Sequence, residues 1–177
     1  AIEKIAYSLE AVATDNKIQN AKIALKDIDI KALNNYIKGY ANIKDFQNMS
    51  LDANVQADIN LADIKQVYPL DSVDIAGNVF VNIISQGYMD LKKNIIPETS
   101  ATITMKNGYY KLWSYPIPLE QINVETYINS KTGSLKDLSI QILPISFTLA
   151  GEPFFLNADF KNFNDIKYAV RSNGRLN

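Results

Sequence analysis

The chain has 177 residues and 47% hydrophobic content, enough for one continuous core. Its 18 basic and 19 acidic residues leave a net charge of -1, without the basic excess of an electrostatic nucleic-acid binder, so no nucleic-acid partner is expected. Cysteine and histidine are both absent, which excludes thiol chemistry, disulfides, imidazole bases and the usual zinc sites.

The chain begins at Ala1, with neither an initiator Met nor a signal peptide. It reads as a mature or excised segment of a longer protein, a single β domain over residues 1–177. No stretch approaches the ~20 apolar residues that span a bilayer.

The dominant period is two, the signature of a half-buried strand. Ile5, Tyr7, Leu9, Ala11 and Ala13 alternate first, and Asp15-Asn16 supplies a turn into "IQNAKIALKDIDI". Next comes "DIKALNNYIKGYANIKDF", which predicts a short helix over about 30–40, ended near Gly39. "SLDANVQADINLA" is the cleanest alternation, with Leu51, Ala53, Val55, Ala57, Ile59 and Leu61 on one face and Asp52, Asn54, Gln56, Asp58 and Asn60 on the other. "LADIKQVYP" predicts one helical turn stopped before Pro69.

Alternation resumes through Val73, Ile75, Gly77, Val79, Val81 and Ile83, then Ala101, Ile103 and Met105. Asn107-Gly108 predicts a tight hairpin turn into "YYKLWSY", since both residues accept positive φ. Pro116 and Pro118 bracket Ile117 in an extended crossing or an edge. Ile122, Val124 and Ile128 alternate next, Thr132-Gly133 turns the chain, and Leu138, Ile140 and Ile142 follow. Phe154, Leu156, Ala158 and Phe160 form a last clear run, and "FNDIKYAV" predicts another helical turn. The sum is a mainly β chain: a curved antiparallel meander, as an open barrel, groove or sandwich-like sheet, of about nine to eleven strands with about one to three short helices.

Three stretches share a phrase of strand end, Asn or Asp, short helical turn carrying Tyr, and new strand. They are "DIDIKALNNYI", "INLADIKQVYP" and "DFKNFNDIKYAV". Repetition of this kind marks a repetitive sheet, or simply the similar connectors that any antiparallel sheet needs. By the pattern of Gly77, a further strand should start near Gly174 and run on, so Asn177 reads as a cut inside a longer protein; the alternative is that Asn173-Gly174 is a frayed terminal turn.

Three longer phrases carry a family resemblance. "NLADIKQVYPLDSVDIAGNVFVNIISQG", "IPETSATITMKNGYYKLWSYPIPLEQINVETYINSKTG" and "LKDLSIQILPISFTLAGEPFFLNADFKNFNDIKYAVRSNGRLN" cover Asn60 to Asn177. They resemble the C-terminal region of AsmA-like proteins, which are similar to the TamB- and chorein-type repeating β-groove proteins of Gram-negative bacteria. The resemblance implies a periplasmic protein held in the inner membrane by an N-terminal anchor that this chain lacks. It further implies a part in outer-membrane biogenesis and the carriage of phospholipid acyl chains along an apolar groove, beside neighbouring modules of the parent chain. The family has no catalytic residues to carry over, and neither cofactor nor metal is implied.

Residue chemistry agrees in kind. No nucleophile elbow, calcium loop or phosphate-binding glycine loop occurs. Asp52, Asp58, Glu98, Glu120 and Glu125 are the carboxylates a glycosidase could use, but Asp52 and Asp58 fall on the wet face of their strand. Alternation places Tyr109, Lys111, Trp113 and Tyr115 on one face and Tyr110, Leu112 and Ser114 on the other. The expectation is that one set packs in the core and the rest pair across a hairpin, with a carbohydrate platform as the rival. "PFFLNADF" reads as core.

With few helices to cover it, an apolar sheet face needs a second sheet or a lipid tail, each buried methylene being worth ~0.8 kcal/mol. The residues expected to line such a lipid groove are Val55, Ile59, Val79, Val81, Ile103, Met105, Val124, Ile140, Ile142 and Phe160. The expected function is therefore non-enzymatic lipid binding or conduction. A ligand-free scaffold and a carbohydrate-binding sandwich are the alternatives.

Overall fold

A computed structural model describes residues 2–13, 20–44, 46, 49–67 and 70–175. Ten strands run in chain order: β1 (Ile2–Val12), β2 (Lys22–Ala32), β3 (Asn35–Lys44), β4 (Ser50–Asn60), β5 (Val73–Tyr88), β6 (Glu98–Leu112), β7 (Leu119–Ser130), β8 (Ser139–Leu149), β9 (Glu152–Lys161) and β10 (Lys167–Gly174). One helix, α1 (Leu61–Val67), joins β4 to β5, and a 3-10 turn lies at Leu91–Lys93. Every strand pairs antiparallel with its sequence neighbour, so the spatial order is the chain order.

The sheet is open. Substantial contacts between strands occur only between sheet neighbours, so it neither closes into a barrel nor folds over as a sandwich. Among the described residues β1 and β10 each have one unpaired edge. The antiparallel meander and the strand number match the pattern of alternation; the sandwich-like arrangement is not formed.

Four local expectations are corrected. The stretch over 30–40 is a hairpin, β2 turning through Leu33 and Asn34 into β3, with Ala32 opposite Asn35. Ile28, Ile30 and Ala32 alternate on one side of the turn, and Ile37, Gly39, Ala41 and Ile43 on the other. Period two therefore wins, and Leu33 takes φ +54° to reverse the chain. "FNDIKYAV" is a turn followed by β10: the Asp165 N–H donates to the Asn162 carbonyl at 2.9 Å.

Asn107-Gly108 is not a hairpin turn but lies inside β6, as a bulge. Asn107 takes φ +53°, and a Cβ on Gly108 would lie 2.8 Å from the Ile122 Cβ. Lastly, β6 ends at Leu112, so Trp113 and Tyr115 belong to the connector rather than to an alternating strand. The proposed turn at Asp15-Asn16 lies outside the described residues. Thr132-Gly133 does sit in the β7–β8 connector, with Gly133 at φ +65°.

Of the three repeated phrases, only the second contains a helix. There the Asn60 side chain accepts from the Ala62 N–H at 3.0 Å and Asp63 favours the first turn electrostatically. Asn35 ties this helix to the neighbouring hairpin, donating from Nδ2 to the Asp63 carboxylate at 3.1 Å and to the Ala32 carbonyl at 3.1 Å.

At the other end of the sheet, the connectors are stitched together by backbone bonds. Met89 N donates to Met49 O at 3.2 Å, Ile96 N to Gly133 O at 2.9 Å, Leu135 N to Asn94 O at 3.0 Å, and Phe163 N to Leu135 O at 2.7 Å.

Candidate functional site

The register lines up side chains in rows that cross the sheet. One row reads Ile5, Ile30, Ile37, Ala57, Val81, Ile103, Thr126, Ile142, Ala158 and Val170, one residue from each of the ten strands. Thr126 alone interrupts its aliphatic character. A second row reads Ile28, Gly39, Val55, Ile83, Ala101, Ile128, Ile140, Phe160 and Tyr168. A third joins Ile59, Val79, Met105 and Val124. At ~4.8 Å per strand the ten-stranded face is about 43 Å across.

All ten residues expected to line an apolar surface fall in these three rows, so they share one face of the sheet. None of the ten is buried; each is half-exposed, because no second layer covers them. Among the described residues the few buried apolar side chains are small, Ala53, Ala57, Ala101 and Ala158, with Ile28 the one larger aliphatic. Near the stitched end the same face turns polar, with Ser85 Oγ 2.8 Å from Thr99 Oγ1 and Ser130 fully buried.

The opposite face is mostly polar, with Phe80, Ile84 and Phe155 its apolar exceptions. The matching row there reads Ala6, Asp29, Lys38, Gln56, Asn82, Thr102, Tyr127, Gln141, Asp159 and Ala169. Ion pairs decorate it: Lys4 with Asp29, Lys26 with Glu10 at 3.0 Å, and Lys161 with Asp159 at 2.9 Å. The Lys4 ammonium bonded to Asp29 holds that carboxyl below its ordinary value.

Asp52 accepts from the Tyr40 hydroxyl at 3.2 Å and Glu125 from the Tyr127 hydroxyl. The charge of Asp52 raises the Tyr40 phenol, and the bond to Glu125 raises that of Tyr127. These carboxylates are thus engaged as structural acceptors on the wet face. Among the described residues no three Asp or Glu side chains gather in a metal-binding group, and no helix is long and apolar enough to cross a membrane.

Two parts of the apolar surface were not foreseen. Its rows extend beyond the predicted set to Ile5, Ile30, Ile37 and Val170, reaching both edge strands. The alternation of Ile5, Tyr7 and Leu9 was the available signal. A small cleft of about 220 Å³ also opens at the β6–β7 end, lined by Tyr110, Leu112, Tyr115, Ile117, Leu119 and Leu149. Beside it Trp113 is 64% exposed rather than packed, and its Nε1–H donates to Asp74 Oδ2 at 3.4 Å. Phe147 and Phe154 stack at 5.2 Å across β8 and β9.

Comparison with protein-family models, with curated proteins and with solved structures finds no match to this chain.

Proposed function

We propose that this chain is a non-enzymatic lipid-binding module whose uncovered apolar sheet face receives acyl chains. One observation carries the reading: an almost wholly aliphatic row crosses all ten strands from one free edge to the other. A core built to be closed off would be covered by a second layer; this row has none and reaches the edges. Acyl tails suit it because they need no specific bond, and each methylene removed from water is worth ~0.8 kcal/mol. A path that crosses the strands allows a tail to move from one strand to the next without leaving apolar contact, which is the basis for conduction as well as binding.

On the resemblance to AsmA-like proteins, the module belongs to a periplasmic protein anchored in the inner membrane and acting in outer-membrane biogenesis. Phospholipid is the natural ligand in that setting. The test is a pair of charge substitutions on the face. Val81→Asp and Ile140→Asp should abolish phospholipid co-purification while the far-ultraviolet circular dichroism of the sheet is kept. Lipid content unchanged in both folded variants would overturn the proposal.

A second reading is favoured by the free edges of β1 and β10, which offer unpaired backbone groups to further strands. On that reading the module is a scaffold stacked between neighbouring modules of its parent chain, and no lipid is found with it.

A further inference from the structure

We propose that the β6–β7 connector, Trp113–Pro118, is an anchor that inserts into the headgroup–acyl boundary of a phospholipid bilayer. The inference rests on the lipid-binding reading of the sheet face and adds where that face meets a membrane.

The connector is apolar, exposed and held in place. Leu112 is 40% exposed, Trp113 64% and Tyr115 54%. From Leu112 to Leu119 the chain reads "LWSYPIPL", eight residues without a charge. The segment is not a loose loop: Trp113 N donates to Ser72 O at 3.1 Å and Tyr115 N to Leu112 O at 3.0 Å. The indole N–H is turned to Asp74, whose carboxylate is also paired with Lys65 of α1. The single polar group of Trp113 is therefore satisfied at the protein, and the apolar ring is presented to the outside.

An aromatic ring with one wet end and one apolar end partitions to the membrane interface, where Trp and Tyr gather. Pro116 and Pro118 have no N–H, so two backbone positions add no donor to desolvate on insertion. Behind the tip lies the apolar cleft, and Tyr110 and Leu119 lead from it past Gly108 and Ile122 to Met105 and Val124. Tyr115 and Ile117 of the tip are thus continuous with the apolar face, while Trp113 stands on the Asp74 side of the same tip.

A glycan platform fits less well, since the cleft offers no amide or carboxylate to bond sugar hydroxyls. The absence of charge on the tip predicts binding to zwitterionic vesicles that salt does not weaken.

Trp113 is the only Trp in the chain, so its fluorescence reports on this site alone. The experiment titrates the full chain with phosphatidylcholine vesicles, with and without brominated acyl chains. A blue shift with quenching by the brominated lipid is expected at both low and high salt. Trp113→Ala with Tyr115→Ala should lower the vesicle-bound fraction in flotation about tenfold, the change that ~1.4 kcal/mol produces. Circular dichroism confirms that the variant is folded.

Emission that neither shifts nor quenches overturns the anchor. So does a shift produced by oligosaccharides and not by vesicles. Val81→Asp separates the two proposals, because it alters the face far from the tip. If Val81→Asp loses co-purified lipid while wild-type Trp113 ignores vesicles, the face reading stands and the anchor falls. If Trp113 responds but lipid content is the same in wild type and Val81→Asp, the anchor stands and the face reading falls.

Discussion

Gly39 shows how tightly single positions constrain this sheet. It lies in β3 opposite Val55 on the apolar side, at φ +136°, and a Cβ there would sit 1.9 Å from the Asn54 carbonyl oxygen. No side-chain adjustment relieves a clash with backbone. Gly39→Ala should destabilise the protein by roughly 1–3 kcal/mol, the range for a strained backbone conformation, measured as a lower midpoint in urea unfolding. Other positions explain what could and could not be read from sequence. Val55 and Ile59 are placed correctly by alternation because β4 pairs without a register shift over its whole length. Asp27, Asn107 and Gln121 are different: each takes positive φ at a shift in register, and one added residue there restarts the alternation. Asn accepts that conformation in a hairpin turn and in a bulge alike, so Asn107-Gly108 looks the same in sequence for both.

Among the elements, most strands were legible, as were the α1 turn and the turn at Thr132-Gly133, whereas β3, β10 and the stitched connectors were not. Segment 30–40 contains good helix formers, yet both of its halves carry apolar residues at every second position, and pairing with β4 satisfies that pattern where an isolated helix would not. α1 forms because the Asn60 and Asn35 side chains hold its first turn. The stitched connectors depend on long-range backbone pairs that no local pattern announces. Asp137 is central to one of them: it accepts from the backbone N–H of Thr132 at 2.8 Å and from that of Lys131. Thr132, then Lys131, hold its carboxyl below the ordinary value. Because the folded-state value is lowered, this contribution is present at neutral pH and is lost as the pH falls through that lowered value. Asp137→Asn should therefore lower Tm at pH 7 and reduce the further loss of Tm seen on acidification toward pH ~3. A Tm that falls in acid as steeply in the variant as in the wild type would assign the acid sensitivity to Asp29, Asp74 and Asp90, whose carboxyls are lowered likewise by bonded lysines.

The whole molecule exposes far more surface than a compact protein of its size. For 19.8 kDa the monomer scaling gives about 8,600 Å², whereas the chain exposes 11,696 Å². The excess of roughly 3,000 Å² over that scaling is the signature of a single layer, since a domain ordinarily packs two. Alternation in the sequence specified that every strand has one apolar face. It did not specify what lies against that face, because a second sheet and an acyl chain demand the same residues. That is why Val81, Ile103 and Ile142 were found together without foretelling whether they would be enclosed.

If lipid supplies the missing layer, native mass spectrometry of the freshly purified protein, with solvent extraction of anything bound, finds phospholipid-sized adducts that survive dilution. A clean mass near 19.8 kDa, with no extractable lipid, would contradict it.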